Sequence, residues 1–401
     1  MSGAGESASA WALLRQPAFA RYFVGNALSN TGTWVQDIAA AVILYELTGS
    51  ALFVAVLALC SHGVSLVLAP VGGQLADRLD RRLLLIVVHV CQAVAALALA
   101  LLTALGDASA AGIVIVALVL GIGRALNTPA LLAFLPSLVS ERDLAQATAL
   151  QSVTFNLARV VGPIVGVALT TSVGPAAAFA ANGASFLAFA VLLLSLGAVK
   201  RSPRRGGGSF LAGLSYVRAH PRLAVILLCC IVIGMSTDPV VTLGPALSDA
   251  FGQDASGAGL CVSAFGVGAV LSAPFAGGIR RRIGRGNTSI ACLIAIAVLF
   301  GGVAVSPSWH VVLGAFALAG AAYLIGNADL TTLVQESVVD EVRGRVMALW
   351  SMAFIGSRPL AAALDGALAD AVSAQTAVGV LGGVVLVVAC AAGVTLRRGE
   401  R

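Results

Sequence analysis

Between Arg82 and Asp107 the chain holds no aspartate, glutamate, lysine or arginine, and the same is true between Arg159 and Lys200, between Arg285 and Asp329 and between Asp370 and Arg397. A bilayer crossing takes about 20 apolar residues, so runs of this length cross once or twice. In lipid the backbone must satisfy its own polar groups, and an apolar run without turn residues does so as a helix. The spans read at about 20–46, 51–76, 83–105, 111–136, 147–172, 177–198, 222–246, 257–279, 288–305, 310–334, 346–369 and 375–396. The expected fold class is therefore an all-α membrane protein with twelve transmembrane helices. Only 10% of the 401 residues are charged, against about 25% in a soluble domain. Met1 to Arg21 has no basic stretch leading into a short apolar core and cleavage site, so the first span is expected to be retained.

The placement of the basic residues sets the topology. Arg15 and Arg21 precede the first span, Arg78, Arg81 and Arg82 follow the second, and Arg142 follows the fourth. Lys200, Arg201, Arg204, Arg205, Arg218 and Arg222 follow the sixth, Arg280, Arg281, Arg282 and Arg285 the eighth, and Arg343 and Arg345 the tenth. With Arg397, Arg398 and Arg401 this makes 21 of the 24 basic residues on one face. The opposite loops carry Asp107, Asp249, Asp254 and Asp370 instead. The positive-inside rule then predicts a multi-pass protein of the cell (inner) membrane with both termini cytoplasmic. The net charge of +6 reports topology in this reading, and no nucleic-acid partner is expected. The seven cysteines lie inside apolar runs without metal-ligand spacing, so neither metal nor cofactor is expected.

The chain also repeats itself. Ala149-Leu150-Gln151-Ser152 with Phe155 and Arg159 matches Ala348-Leu349-Trp350-Ser351 with Phe354 and Arg358 at identical spacing. The separation of Arg21 from Asp37 equals that of Arg222 from Asp238. Between the repeats lies the long basic, Gly/Ser-rich stretch 199–221. The expected organisation is an N-terminal six-helix bundle at 1–198, a cytoplasmic basic linker at 199–221 and a C-terminal six-helix bundle at 222–401. Two like-oriented, pseudo-symmetric bundles suit a transporter.

Seven residues of ionisable type remain inside the spans: Asp37, Arg124, Arg159, Asp238, Asp329, Arg358 and Asp365. Each costs about 2.5–3.5 kcal/mol at the centre of a bilayer on insertion scales, so it should face a partner or a cavity. In the first span Asn26, Asn30, Thr33 and Asp37 share one helical face, which reads as the lining of a polar cavity. Weaker polar stripes place Asn127 beside Arg124, Asn156 beside Arg159, and Asn327 and Thr331 together on the tenth span. Asn26, Asn30, Thr33, Asn127, Asn156, Arg159, Asn327, Thr331, Arg358 and Asp365 are thus the expected substrate-cavity set. Four carboxylates face three guanidiniums, so one acid is left without a cation. Such an acid binds and releases protons. One of Asp37, Asp238 and Asp329 is expected to carry the coupling proton, with Asp37 favoured for its polar stripe. His62 and His89 are read as packed histidines rather than relays.

Several motifs resemble the major facilitator superfamily of transporters. Gly-x-Leu-Ala-Asp-Arg-x-x-Arg-Arg at 73–82 resembles its signature loop between the second and third spans, with Asp80 where that pattern has glycine. Gly162-Pro163-x-x-Gly166 is similar to its antiporter motif, with Ala158 and Val167 replacing two of the glycines. Arg124 falls where the family carries an arginine implicated in proton coupling. Gly32-Thr33-Trp34-Val35-Gln36, Tyr45-Glu46-Leu47-Thr48-Gly49-Ser50, Asn127-Thr128-Pro129-Ala130 and Gly344-Arg345-Val346-Met347-Ala348-Leu349 resemble the enterobactin-exporter and macrolide-efflux branch.

The resemblance implies the major facilitator fold, with spans one, four, seven and ten lining the cavity. It implies a cytoplasmic gate loop of Gly73, Asp77, Arg78, Arg81 and Arg82. There Gly73 would let the second span pack closely, Asp77 would latch onto the eleventh span, and the arginines would hold the loop at the headgroups. It also implies a monomeric, proton-coupled exporter of an amphiphilic organic molecule: a drug, an antibiotic or a siderophore-like metabolite. The partners expected are that substrate, protons and the bilayer. Import or facilitated diffusion of a small metabolite, or ligand sensing without transport, are the alternatives. No nucleophile–base or metal constellation suggests an enzyme, and no phosphate-binding Gly-x-x-x-x-Gly-Lys-Ser/Thr run suggests an ATP-driven pump.

Overall fold

The computed structural model describes residues 10–140, 142–196, 210–253 and 256–398. These are helical almost throughout, with no strand among the described residues. A helix follows each of the expected boundaries because the connections carry the right caps. Ser50 accepts a hydrogen bond from the Phe53 amide, and Ser109 from that of Gly112 at 3.1 Å, in each case opening a span. Gly49, Gly106, Gly174 and Gly284 take positive φ at the turns, and Pro175 and Pro221 stand at the first turn of the sixth and seventh spans.

Asp80 shows why this chain departs from the family's glycine. Its φ of −66° is ordinary, and its carboxylate accepts from the Leu83 amide at 3.0 Å. The residue is the N-cap of the third span (Arg81–Ala104), so no left-handed turn is needed there.

Nine helices among the described residues are long and apolar enough to cross a membrane. The other three expected crossings are helical too. The first (Pro17–Thr48) and eleventh (Asp340–Ala371) carry the polar and charged residues that lower their hydropathy. The second is broken into Ala51–Ala58, a π turn at Leu59–Gly63 holding His62, and Val64–Arg78. The seventh is broken as well, into Pro221–Met235, Asp238–Thr242 and Gly244–Ala250.

The helices group into two compact units, Met1–Ile43 with Gly63–Arg205, and Leu44–His62 with Gly206–Arg401. The first is built around Phe19, Tyr22, Leu85, Phe134, Phe189 and Leu193. The second is centred on rings such as Phe300 and Phe316, set edge to face at 6.2 Å. A split at the basic linker would leave 44–62 in the first half. That segment joins the second unit because the eleventh span has glycine at the crossing. A Cβ on Gly366 would stand 2.7 Å from the Ala51 carbonyl oxygen. Of the linker, 199–209 lies outside the described residues, and Phe210–Ala219 forms a helix packed on the eleventh span.

Candidate transport site: ion pairs inside the spans

In the first unit, Asp37 on the first span meets Arg124 on the fourth (Ala110–Phe134), Nη2 to Oδ2 at 3.4 Å, with both side chains largely shielded. The rest of the first-span stripe divides. Asn30 and Thr33 stay half-buried, whereas Asn26 is 4% exposed and turns into the bundle. Gln36, flanking the stripe, accepts from Asn182 of the sixth span (Pro175–Leu194) at 2.7 Å. Asn182 is fully buried and was not singled out from the sequence, where its signal is an isolated amide within an apolar run. Arg159 lies over the Trp34 ring at 5.9 Å, a cation–π contact between the fifth span (Leu144–Ser172) and the first.

Asn127 turns toward the third span and reaches His89 Nε2 at 3.5 Å. His89 Nδ1 stands 2.7 Å from the Leu85 carbonyl, and the ring packs edge-on against Phe186 and Phe189. With both nitrogens engaged in a fully buried setting, this histidine is a packing residue.

The antiporter-like motif is a helix crossing. A Cβ on Gly162 would collide with the Trp34 Cβ, and one on Gly166 would stand 2.9 Å from the Val35 carbonyl. Small residues let the first and fifth spans touch backbone to backbone. Gly162→Leu is therefore expected to force the two helices apart, at a cost of about 1–3 kcal/mol or more. A thermal ramp of the purified protein in detergent checks this; an unchanged melt would show that the crossing gives way freely.

The gate loop departs from expectation at Gly73, which meets open space, while Gly72 lies against the Ala125 carbonyl of the fourth span. The close approach is thus made one residue earlier. Arg81 and Arg82 hold protein rather than headgroups. Arg81 donates to the Ala133 carbonyl at 2.9 Å and the Ala76 carbonyl at 3.3 Å. Arg82 donates to those of Leu193 at 2.7 Å and Leu194 at 2.6 Å. These are C-terminal carbonyls of the fourth, second and sixth spans, where a helix leaves acceptors unpaired and favours a cation. Arg78 is exposed in the last turn of the second span. The side chains of Asp77 and Asn156 lie outside the described residues.

In the second unit, Arg358 Nε lies 3.5 Å from Asp238 Oδ2, with side-chain exposures of 14% and 6%. Asp238 opens the short helix after the break at Ser236 and Thr237, and Pro239 next to it supplies no backbone donor. Broken helices near mid-membrane are where transporters build sites. Asp365, seven residues beyond Arg358 on the same helix face, is 2% exposed, and its Oδ2 has no hydrogen-bond partner among the described residues.

Asp329 belongs to another cluster. It meets Arg280 at 2.6 Å and Arg285 at 4.0 Å, and Arg285 also pairs with Glu336. Arg280, assigned from sequence to a loop, falls within the helix Ser256–Ile283. Asn327 and Thr331 sit half-buried on the tenth span (Trp309–Glu336), with the Thr331 hydroxyl donating to the Asn327 carbonyl at 2.7 Å.

Asp370, read from sequence only as a loop acid, ends the eleventh span and caps the start of the second. Its Oδ1 accepts from the Ala51 amide at 2.8 Å, and its Oδ2 accepts from the Leu52 amide at 3.3 Å and from the Ser50 hydroxyl. A carboxylate over the open amides of a helix N-terminus is a charge-assisted cap.

A helical membrane scaffold with buried ion pairs and a broken span is that of a transporter, and its solved neighbours share the fold. The nucleoside transporter NupG superposes with TM-score 0.74 at 13% identity, covering 94% of this chain and 99% of that one. A bacterial homologue of the iron transporter ferroportin, solved in an inward-facing state, superposes with TM-score 0.73 at 17% identity, covering 94% and 98%. The chain belongs to the transmembrane secretion effector family of the major facilitator superfamily, whose model matches residues 8–400. Among curated relatives, the enterobactin exporter EntS of Escherichia coli O6:K15:H31 (strain 536 / UPEC) is 27% identical over 361 residues, covering 89% of this chain and 86% of that protein. EntS of Shigella boydii serotype 4 matches to the same extent. The protein is a multi-pass membrane transporter and not an enzyme.

Proposed function

We propose that this protein exports an amphiphilic, siderophore-like molecule across the inner membrane by alternating access, driven by the proton gradient. The observation that carries the reading is the relation to enterobactin exporters over 89% of the chain. The buried pairs Asp37–Arg124 and Asp238–Arg358 support it, since charges kept inside spans mark ion and substrate pathways. Each unit by itself keeps polar side chains partly accessible as candidates for meeting substrate, Asn30 and Thr33 in the first and Asn327 and Thr331 in the second. The two six-helix halves flank the basic linker, the protein works as a monomer, and both termini are cytoplasmic, as the basic faces require.

Inside-out membrane vesicles carrying the protein test this with enterobactin as the probe. Accumulation that appears with an imposed pH gradient and vanishes when a protonophore collapses it is the expected result. Accumulation only in right-side-out vesicles would favour import, and binding without accumulation in either orientation would favour a sensor.

A further inference from the structure

We infer that Asp365 is the residue that takes up and releases the coupling proton, an inference that rests on the proton-driven reading above. The buried acids sort by partner. Asp37 has Arg124 at 3.4 Å, Asp238 has Arg358 at 3.5 Å and Asp329 has Arg280 at 2.6 Å. Each of these pairs is neutral as it stands. Asp365 is 2% exposed, against 0% for Asp329 and 4% for Asp238, and what separates it from the other three acids is that no cation pairs with it among the described residues; its Oδ2 also has no hydrogen-bond partner there. Burial weighs most on this carboxylate, and after burial the charge of a second carboxylate, Asp238. The site balances its charge when Asp365 carries a proton, because a neutral carboxyl neither opposes Asp238 nor requires a cation.

Among the described residues, no cation from the helices packed against the eleventh span pairs with Asp365. The linker helix brings Tyr216 and Arg218, and the seventh span brings Arg222, Cys229 and Cys230 before its break and Asp238 after it. The tenth span brings Tyr323 and Asp329, the latter held by Arg280, with His310 and Glu336 exposed at its two ends. The twelfth (Ala374–Arg398) brings Cys390, the side chains of Arg397 and Arg398 lying outside the described residues, and Ala51–Ala58 of the second brings nothing that titrates, its π turn adding Cys60 and His62. Of these, Asp238 is the group that acts on Asp365.

The arrangement also supplies a coupling step. When Asp365 gives up its proton, its new charge repels Asp238 and competes for Arg358, which lies two turns away on the same face. The Asp238–Arg358 pair sits beside the break of the seventh span, so losing the proton loosens the contact that holds that break closed. Taking the proton back restores it.

Infrared difference spectroscopy between acid and alkaline pH, on the full chain purified into liposomes, reads the site without any substrate. The carbonyl stretch of a protonated carboxyl should appear in the native protein, disappear in Asp365→Asn and persist in Asp37→Asn. A band unchanged in Asp365→Asn, or lost in Asp37→Asn, overturns the assignment. Should Asp365→Asn fail to fold, Asp365→Glu serves instead, and a band that keeps its native position in that variant is equally fatal. If the Asp365 band is present but the pH gradient drives no enterobactin accumulation, the export reading fails and the proton site stands.

Discussion

Arg358→Ala is expected to destabilise the protein by about 3–5 kcal/mol, the range for removing one partner of a buried ion pair. The guanidinium is 14% exposed and Asp238 is 6% exposed, so water cannot replace the lost cation. The variant would leave Asp238 charged in the interior, with a second acid, Asp365, on the helix that carried the lost cation. Adding Asp238→Asn to Arg358→Ala should recover most of the loss, because the penalty belongs to the stranded charge more than to the missing contact. A denaturation series on the four proteins of this double-mutant cycle checks both statements. A single variant as stable as the native protein would mean that the pair contributes nothing, and an additive double variant would mean that the two residues are not coupled. Transport is expected to be lost in the single variant and not recovered in the double one, since the double variant has no pair to break and remake.

Asp370→Ala is expected to free the start of the second span. The carboxylate serves two backbone amides and a hydroxyl at once, and removing such a cap costs about 1 kcal/mol, up to ~2. One kilocalorie corresponds to roughly fivefold faster hydrogen exchange at the Ala51 and Leu52 amides if they exchange through local opening. Asp370→Asn keeps an acceptor oxygen but not the charge, so it should fall between the two. By freeing this helix start, the alanine variant should also raise the labelling of a cysteine placed at Phe53, an exposed position one turn along. Exchange at the native rate in Asp370→Ala would show that the cap does not hold this junction shut.

The two predictions differ in how much of them could be read from the residues in order. Arg358 and Asp238 both announce themselves, being charges in apolar runs, and the repeat that aligns Arg159 with Arg358 marks them as equivalent positions. Their partners do not follow from that repeat. Arg358 reaches Asp238, but Arg159 lies over Trp34 while Asp37 takes Arg124. The halves have diverged in the side chains that surround the charges, and spacing along one helix carries no information about the neighbour it meets. Asp370 was legible only as an acid on the outward side. It lies 320 residues downstream of the serine it binds, and its role depends on a crossing that Gly366 permits.

Chain chemistry alone determined the class of this protein. Apolar runs of bilayer length must be helices because lipid offers the backbone no partners, and the basic residues outside the spans, gathered on alternate connections, give the orientation expected of those helices. It also established that one intramembrane acid exceeds the cations available within the spans, since that is a matter of counting. Which acid is left over was decided by tertiary structure. Asp329 found Arg280, a residue outside that count, and Asp37 found Arg124, leaving Asp365 to face another carboxylate. Ion pairing at a few ångströms is set by how helices rotate and cross, and that rotation follows from where glycines let backbones touch.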